Sequence, residues 1–537
     1  MRGCRSIVLG RAVAVACLLG GSALPTRAAE LPSPRVLLKP VSAEVMAARS
    51  TFVDSIKARP GFRRARVAAV ERAAFEGSKL NLPLFPDITV EAEQSDIGFT
   101  GVEGKTWTGK LPNGGSAAFI IRGDRVAGSI ATPQGNFQVL PLDGGLCVVV
   151  ERDFGDRDDC GAAGERHRPD AAAAAAPVNP KDTFGPVTPR RALAGRGDAR
   201  LADTPTGNRV RVLVAYTADA RNLTTVNLGM TMQELIDLAI LESNQGYANS
   251  GVTLRIELAC LYQTVFNETA AIENDVDTFR NNGDGVMDEV HTLRSDYDAD
   301  MCALIIDGTD PDWCGWAYGF DYTAYSNMFQ ATVYDCATGR FTFAHEFGHN
   351  QGCRHDNDGT LTPFAYGHGF RNGNNWRTIM AVSGGNSAPR LNYWSNPNIN
   401  SPMSPFTAMG TAINGGNFAN DNRAALNASD NSVVDHESTP LDSVAPSGDD
   451  FGTDEAADKI VTGTLSVTSF TANSGSRVQF RAGTSVTLGA GFWARSGSIF
   501  RARLAGPLGD ANPTAGDAVP EAPQELQGQE VHREGTP

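Results

Sequence analysis

The chain has 537 residues and a formal net charge of −15 at pH 7, with 41% of its residues hydrophobic and 20% charged. This is the balance of a folded protein of several domains, which excludes a disordered or fibrous chain. Acidity without a lysine–arginine cluster excludes nucleic acid as the expected partner, and past residue 24 no stretch approaches twenty apolar residues, so no integral membrane segment is expected.

Arg2, Arg5 and Arg11 precede an apolar run over residues 12–24, and Thr26-Arg27-Ala28 puts small residues at the two positions that signal peptidase reads. Residues 1–28 are therefore expected to be a secretory signal of bacterial type, and the mature chain a secreted protein. Residues 29–168 read as a β-rich first unit. A helical opening over residues 43–75, including Arg63-Arg64-Ala65-Arg66-Val67, gives way to short strands such as Ala117-Ala118-Phe119-Ile120-Ile121 and Leu146-Cys147-Val148-Val149-Val150, separated by glycine turns. Residues 169–207 form a low-complexity linker: a run of alanines flanked by prolines, then Arg190-Arg191 and the arginines of residues 196–200. Exposed arginines in such a segment are open to proteases, so a maturation cut is expected near residues 191–200.

Residues 208–436 have the order of an α/β domain with a mixed sheet. Val210-Arg211-Val212-Leu213-Val214-Ala215-Tyr216 is an apolar strand, and residues 230–248 form a buried helix through Leu235, Ile236, Leu238, Ala239 and Ile240. Val252-Thr253-Leu254-Arg255-Ile256-Glu257-Leu258 alternates as a half-buried strand. A helix over 286–296 leads into the strand Met301-Cys302-Ala303-Leu304-Ile305-Ile306, and an edge region over 315–333 precedes the helix that carries the chemistry.

That helix lies in Thr342-Phe343-Ala344-His345-Glu346-Phe347-Gly348-His349-Asn350-Gln351-Gly352-Cys353-Arg354-His355-Asp356. His345 and His349, four apart, leave one helix face together, as two ligands of one metal must. Glu346 is placed to reach a water on that metal without being a ligand, which is the position of a general base. Gly352 can take the left-handed conformation that ends a helix, so that His355 returns as a third ligand. Three imidazoles leave one tetrahedral position of zinc open, the arrangement of a catalytic site.

With this motif the chain resembles the metzincin metalloproteases, whose histidine signature is followed by a methionine turn. Thr378-Ile379-Met380-Ala381 is similar to that turn, and the resemblance implies that Met380 is an apolar floor under the metal. Asp356 is similar to the Asp of the adamalysin/reprolysin branch, which supports the fold below the site. Val382 stands where astacins and serralysins place a tyrosine, so no tyrosine ligand is expected. Phe364-Ala365-Tyr366-Gly367-His368-Gly369-Phe370-Arg371, Trp376-Arg377-Thr378-Ile379-Met380 and Tyr393-Trp394-Ser395-Asn396-Pro397 resemble blocks of bacterial secreted peptidyl-Asp metalloendopeptidases. That resemblance implies cleavage on the amino side of acidic residues, for which Arg371, Arg377 and Arg390 are the candidate pocket cations because guanidinium binds carboxylate in a fork. It also implies that the edge region before the active helix receives extended substrate, and that residues 29–168 are a propeptide of reprolysin type. Retention of that unit as a binding domain is the alternative.

Among the cysteines, Cys314 with Cys336 would close the loop before the active helix and Cys260 with Cys302 would join neighbouring strands, although sequence alone does not decide pairing. An exported chain favours a disulfide between Cys147 and Cys160. The competing reading makes one of these two, as a thiolate, the occupant of the open zinc position and hence a zymogen switch. Asn281-Asn282-Gly283-Asp284-Gly285 is a weak calcium motif, making Ca2+ a second candidate cofactor after Zn2+; the preferred reading is a turn with Asp284 capping a helix. His368, with three ligands already assigned, is expected either to support the ligands from behind or to lie at the surface.

Residues 437–458 read as a second linker. Residues 459–505 repeat a short strand closed by glycine, as in Val478-Gln479-Phe480-Arg481-Ala482-Gly483 and Val486-Thr487-Leu488-Gly489-Ala490-Gly491, which suggests a stacked β coil. Residues 506–537 have the composition of a disordered tail. The expected activity is that of a secreted zinc endopeptidase, a monomer acting on protein or peptide substrates. Its rival is a secreted adhesin or binding protein on an inactive metzincin scaffold, against which Glu346 speaks.

Overall fold

The computed structural model describes residues 34–59, 61–112, 114–153, 160–162, 209–310, 312–382, 388–412, 419–434, 443–444, 450–461, 463–504 and 526–527. All belong to one unit, Pro34–Pro537. The expected signal, the linker over 169–207 and its maturation site lie outside the described residues, as does most of the tail.

The first helix, Ala43–Lys57, is capped by Ser42, whose hydroxyl accepts from the Val45 amide. It ends well before residue 75. Arg63 to Val67 belong to a strand, Phe62–Val70, because they pair antiparallel with Leu146–Arg152, Val67 opposite Val148. A helix-favouring run is overridden here by a ladder that also sets Arg64 beside Glu151 and Asp87. The expected strands at 117–121 and 146–150 fall inside Ser116–Arg122 and Leu146–Arg152. They are part of a ten-stranded sheet that is antiparallel from Lys79–Phe85 through to Phe62–Val70.

The second large sheet is mixed. At its centre Arg209–Tyr216 runs parallel to Arg255–Gln263 on one side and Met301–Ile306 on the other. Phe329–Val333 then adds in parallel and Gly315–Ala317 antiparallel. The strand expected at 252–258 starts later because Gly251, at φ 72°, closes the helix Met232–Ser250 and Val252 still donates to Tyr247. An unexpected helix, Ile272–Arg280, buries Ile272, Val276 and Phe279; its charged residues mask that spacing in the sequence. The helix expected at 286–296 is Asp288–Asp296.

Both ends of this sheet are extended by distant parts of the chain. At one end the two-residue strand Gly161–Ala162 lies parallel to Gly315–Ala317. At the other, Ala456–Val461 pairs antiparallel with Arg255–Gln263 and begins a three-sided coil. One side stacks Ala456–Val461, Arg477–Ala482 and Ile499–Leu504 in parallel, and Phe451, Phe470 and Phe492 stack inside it. Arg481 of the coil joins Arg209 and Arg211 around the buried Glu257. Burial opposes ionisation of Glu257, yet the three guanidiniums hold it ionised well below the usual carboxylate range. Glu257 thereby ties Arg481 of the coil to Arg209 and Arg211 of the sheet in one buried ion cluster.

The helix Met232–Ser250 is buried on nearly every side because the ten-stranded sheet covers its outer face. Arg122 and Arg125 bind Asp237 and Glu234, at 2.7 and 2.8 Å, and Arg477 of the coil also reaches Asp237 at 2.6 Å. Gln245 donates to the Gly109 and Ala117 carbonyls.

Cys314 and Cys336 form the expected disulfide. Cys260 and Cys302 do not meet: both stand opposite Leu213, on the two strands that flank Arg209–Tyr216. Two strand spacings, about 10 Å, exceed the reach of a disulfide. The expected cap by Asp284 is also replaced. Met287, at φ 57°, precedes the helix without a side-chain cap, and the Asp288 carboxylate accepts from Gly283 and Gly285 while Asp284 accepts from Val286. These carboxylates are spent on the turn. Among the described residues no helix is long and apolar enough to cross a membrane.

Candidate active site

The helix Thr342–Asn350 starts from Phe341, at φ 63°. His345 and His349 project from one face. The helix closes on Gly352, at φ 90°, whose amide donates to His349 while that of Cys353 donates to Gly348. A Cβ at position 352 would meet Pro363 and Phe364 at 2.7 and 2.9 Å, so both conformation and space require glycine. The reversal brings His355 back: its Nε2 lies 3.1 Å from that of His345 and 3.0 Å from that of His349.

The ring orientations are set from behind. His345 donates through Nδ1 to the Ile379 carbonyl at 2.7 Å, and His349 through Nδ1 to the Cys353 carbonyl at 2.8 Å. Each Nε2 lone pair is thereby aimed inward. Burial, followed by the neighbouring histidine's charge, lowers both imidazoles well below their ordinary range, which favours their neutral form.

A fourth atom completes the cluster. The Cys160 sulfur lies 2.9 Å from His345 Nε2, 3.2 Å from His349 Nε2 and 2.9 Å from His355 Nε2. Among the described residues this is the one group of three or more such side chains whose donor atoms all fall within 4.8 Å of one another. Three imidazole nitrogens and one thiol sulfur converging on a common centre fit tetrahedral zinc.

A model of the reprolysin type, from metallopeptidase family M12, matches residues 206–395. A curated relative from Xanthomonas campestris pv. campestris, named peptidyl-Asp metalloendopeptidase, is 34% identical over 70% of this chain and 88% of its own length. A relative of the same name from Stenotrophomonas maltophilia is 37% identical over 58% of this chain and 69% of its own length. The chain belongs to the M12 metallopeptidases. It is a metalloendopeptidase, and the reading as an inactive scaffold is not favoured.

In this metalloendopeptidase Met380 is fully buried, and its sulfur would stand 2.8 Å from a Cβ built on Gly348. Trp394, stacked on Tyr247 with ring centroids 5.4 Å apart, would be 2.7 Å from the same Cβ. Gly348 therefore lets the helix lie flat on Met380 and Trp394, a role that its place between the two histidines hinted at but did not reveal. Gly348→Ala is expected to destabilise the protein by about 1–3 kcal/mol through overpacking, read as a drop in Tm; an unchanged Tm would show that Met380 and Trp394 yield freely.

Asp356 accepts from Arg371 at 3.1 Å and from the Val382 amide at 3.0 Å, tying the third histidine's loop to the chain after Met380. His368 donates through Nδ1 to the His355 carbonyl at 3.1 Å. The three candidate pocket arginines are all engaged within the protein. Arg377 donates to the Ala388 and Ala381 carbonyls, and Arg390 to those of Arg340 and Ala381, both nearly fully buried; Arg371, paired with Asp356, is the least enclosed.

Cys147 does not meet Cys160. It is buried in the ten-stranded sheet opposite Ala68, where burial pushes its thiol up to about 12. The expected disulfide between the two is thus overturned by distance in the fold, and of the two switch candidates only Cys160 is at the histidines. Glu346 is fully buried, its carboxylate against the backbone of Gly315.

Proposed function

We propose that the chain is a secreted zinc endopeptidase held latent by Cys160. His345, His349 and His355 are the zinc ligands, and zinc bound there supplies the Lewis acid that acidifies a water and polarises the scissile carbonyl. Glu346 takes the proton from the attacking water and returns it to the nitrogen of the leaving amine. Met380 and Asp356 support this centre from below. The observation that carries the proposal is the convergence of the three Nε2 atoms with the Cys160 sulfur: a thiolate in the fourth position excludes the reacting water.

The strand Gly161–Ala162 next to Cys160 occupies the edge of Gly315–Ala317, the place where an extended substrate would add to the sheet. Latency therefore has two parts, a sulfur on the metal and a strand on the edge. Residues 1–28 and the Cys314–Cys336 disulfide support an extracellular site of action. Cleavage before acidic residues is supported by the printed name of the relatives, with Arg371 as the preferred pocket cation.

Chelation tests the metal assignment. Treating the processed protein with a zinc chelator is expected to abolish hydrolysis of a peptide library, and added Zn2+ to restore it, with cuts before Asp or Glu. Activity that survives complete removal of zinc would sink the proposal.

A further inference from the structure

Gly315 lies on the edge strand Gly315–Ala317, and the parallel register that sets Gly161 opposite Trp316 and Ala162 opposite Ala317 brings Cys160 alongside Gly315 one step back. Whatever replaces Cys160 in the active enzyme must pass the same residue. A Cβ built on Gly315 would stand 2.6 Å from Glu346 Oε1, 2.8 Å from Glu346 Cδ and 2.7 Å from Thr342 Cγ2. Thr342 and Glu346 are four apart on the active helix, so together they form the wall against which the strand runs.

The backbone does not demand glycine here, because Gly315 is not among the residues at positive φ. Space demands it. Nor can the strand back away cheaply. Gly315 is paired with Thr332, the Cys314 carbonyl accepts from the Val333 amide at 2.9 Å, and Cys314 is bonded to Cys336. With the strand held on its far side, an added methyl group would displace the Glu346 side chain, which is fully buried.

We propose that Gly315 is a positioning residue of the reaction: the missing side chain is what lets the Glu346 carboxylate lie against the substrate-receiving edge. This rests on the reading of Glu346 as general base. The processed enzyme carrying Gly315→Ala is expected to lose roughly 10- to 100-fold in kcat, the cost of a displacement near 1 Å at a reacting group, with KM and zinc content close to wild type. Because Asp is one methylene shorter, Glu346→Asp should cost less in the Gly315→Ala background than in the wild type. An unchanged kcat, an effect confined to KM, or strictly multiplicative losses in the double variant would overturn the proposal. If Gly315→Ala lowers Tm, Glu346→Ala in the same chain must recover part of the loss, the remainder being the contact with Thr342 Cγ2, and failure to recover any of it also overturns the proposal. Glu346→Ala separates this idea from the one beneath it. An active Glu346→Ala enzyme defeats the general-base reading, whereas an inactive one beside a fully active Gly315→Ala enzyme defeats only the role of Gly315.

Discussion

Glu346→Ala in the processed protein is expected to lower kcat by roughly 10²–10⁴-fold, the range of a positioned general acid–base group, while zinc remains bound at the wild-type ratio. The second half of that expectation decides the role. Glu346 leaves the helix beside His345 but is not among the side chains that converge with Cys160, so removing it should cost rate and not metal. Peptide hydrolysis and zinc content measured on the same sample check both. Loss of zinc would make Glu346 a structural support of the ligands, and activity within tenfold of wild type would remove it from the reaction.

Cys160→Ser is expected to give the uncut chain a hydrolytic activity that the uncut wild type lacks, at least about tenfold above it, since tenfold corresponds to only about 1.4 kcal/mol and a thiolate ligand contributes more. Activation should be incomplete, because Gly161–Ala162 still covers the edge of Gly315–Ala317 and the ion pairs of Arg122 and Arg125 with the helix Met232–Ser250 are untouched. Cutting the linker of the same variant should then add a further increase. Cys147→Ser serves as the control: Cys147 is buried far from the histidines in the ten-stranded sheet, so the uncut chain should stay silent. If Cys160→Ser is as inactive as the wild type and becomes active only on cutting, the strand and the docked sheet cause latency and the sulfur does not.

The sheet of the catalytic part was legible because its strands are long apolar runs between turn residues: Met301–Ile306 coincides with its expected limits, and the helix Met232–Ser250 differs from them by two residues at each end. The histidines were legible for a related reason, since their spacing is a property of one helix and one glycine turn. Charged strands were not. Arg63, Arg64 and Arg66 favour a helix locally, and only pairing with Leu146–Arg152 draws them into a ladder. Pairing of cysteines across strands failed too, because neighbours in sequence order, the strands of Cys260 and Cys302, have Arg209–Tyr216 between them.

By itself, then, the sequence determined what short-range spacing can encode: two imidazoles on one face with a carboxylate beside them and a turn that returns a third. Tertiary structure decided everything carried by long separations. Cys160 reaches His345 across 185 positions, Gly315 meets Glu346 only because an edge strand is pinned against the active helix, and Arg481 meets Glu257 across 224. No local periodicity records such contacts. They arise when sheets that bury their apolar faces carry single polar residues to a common place, where burial forces each to find a partner.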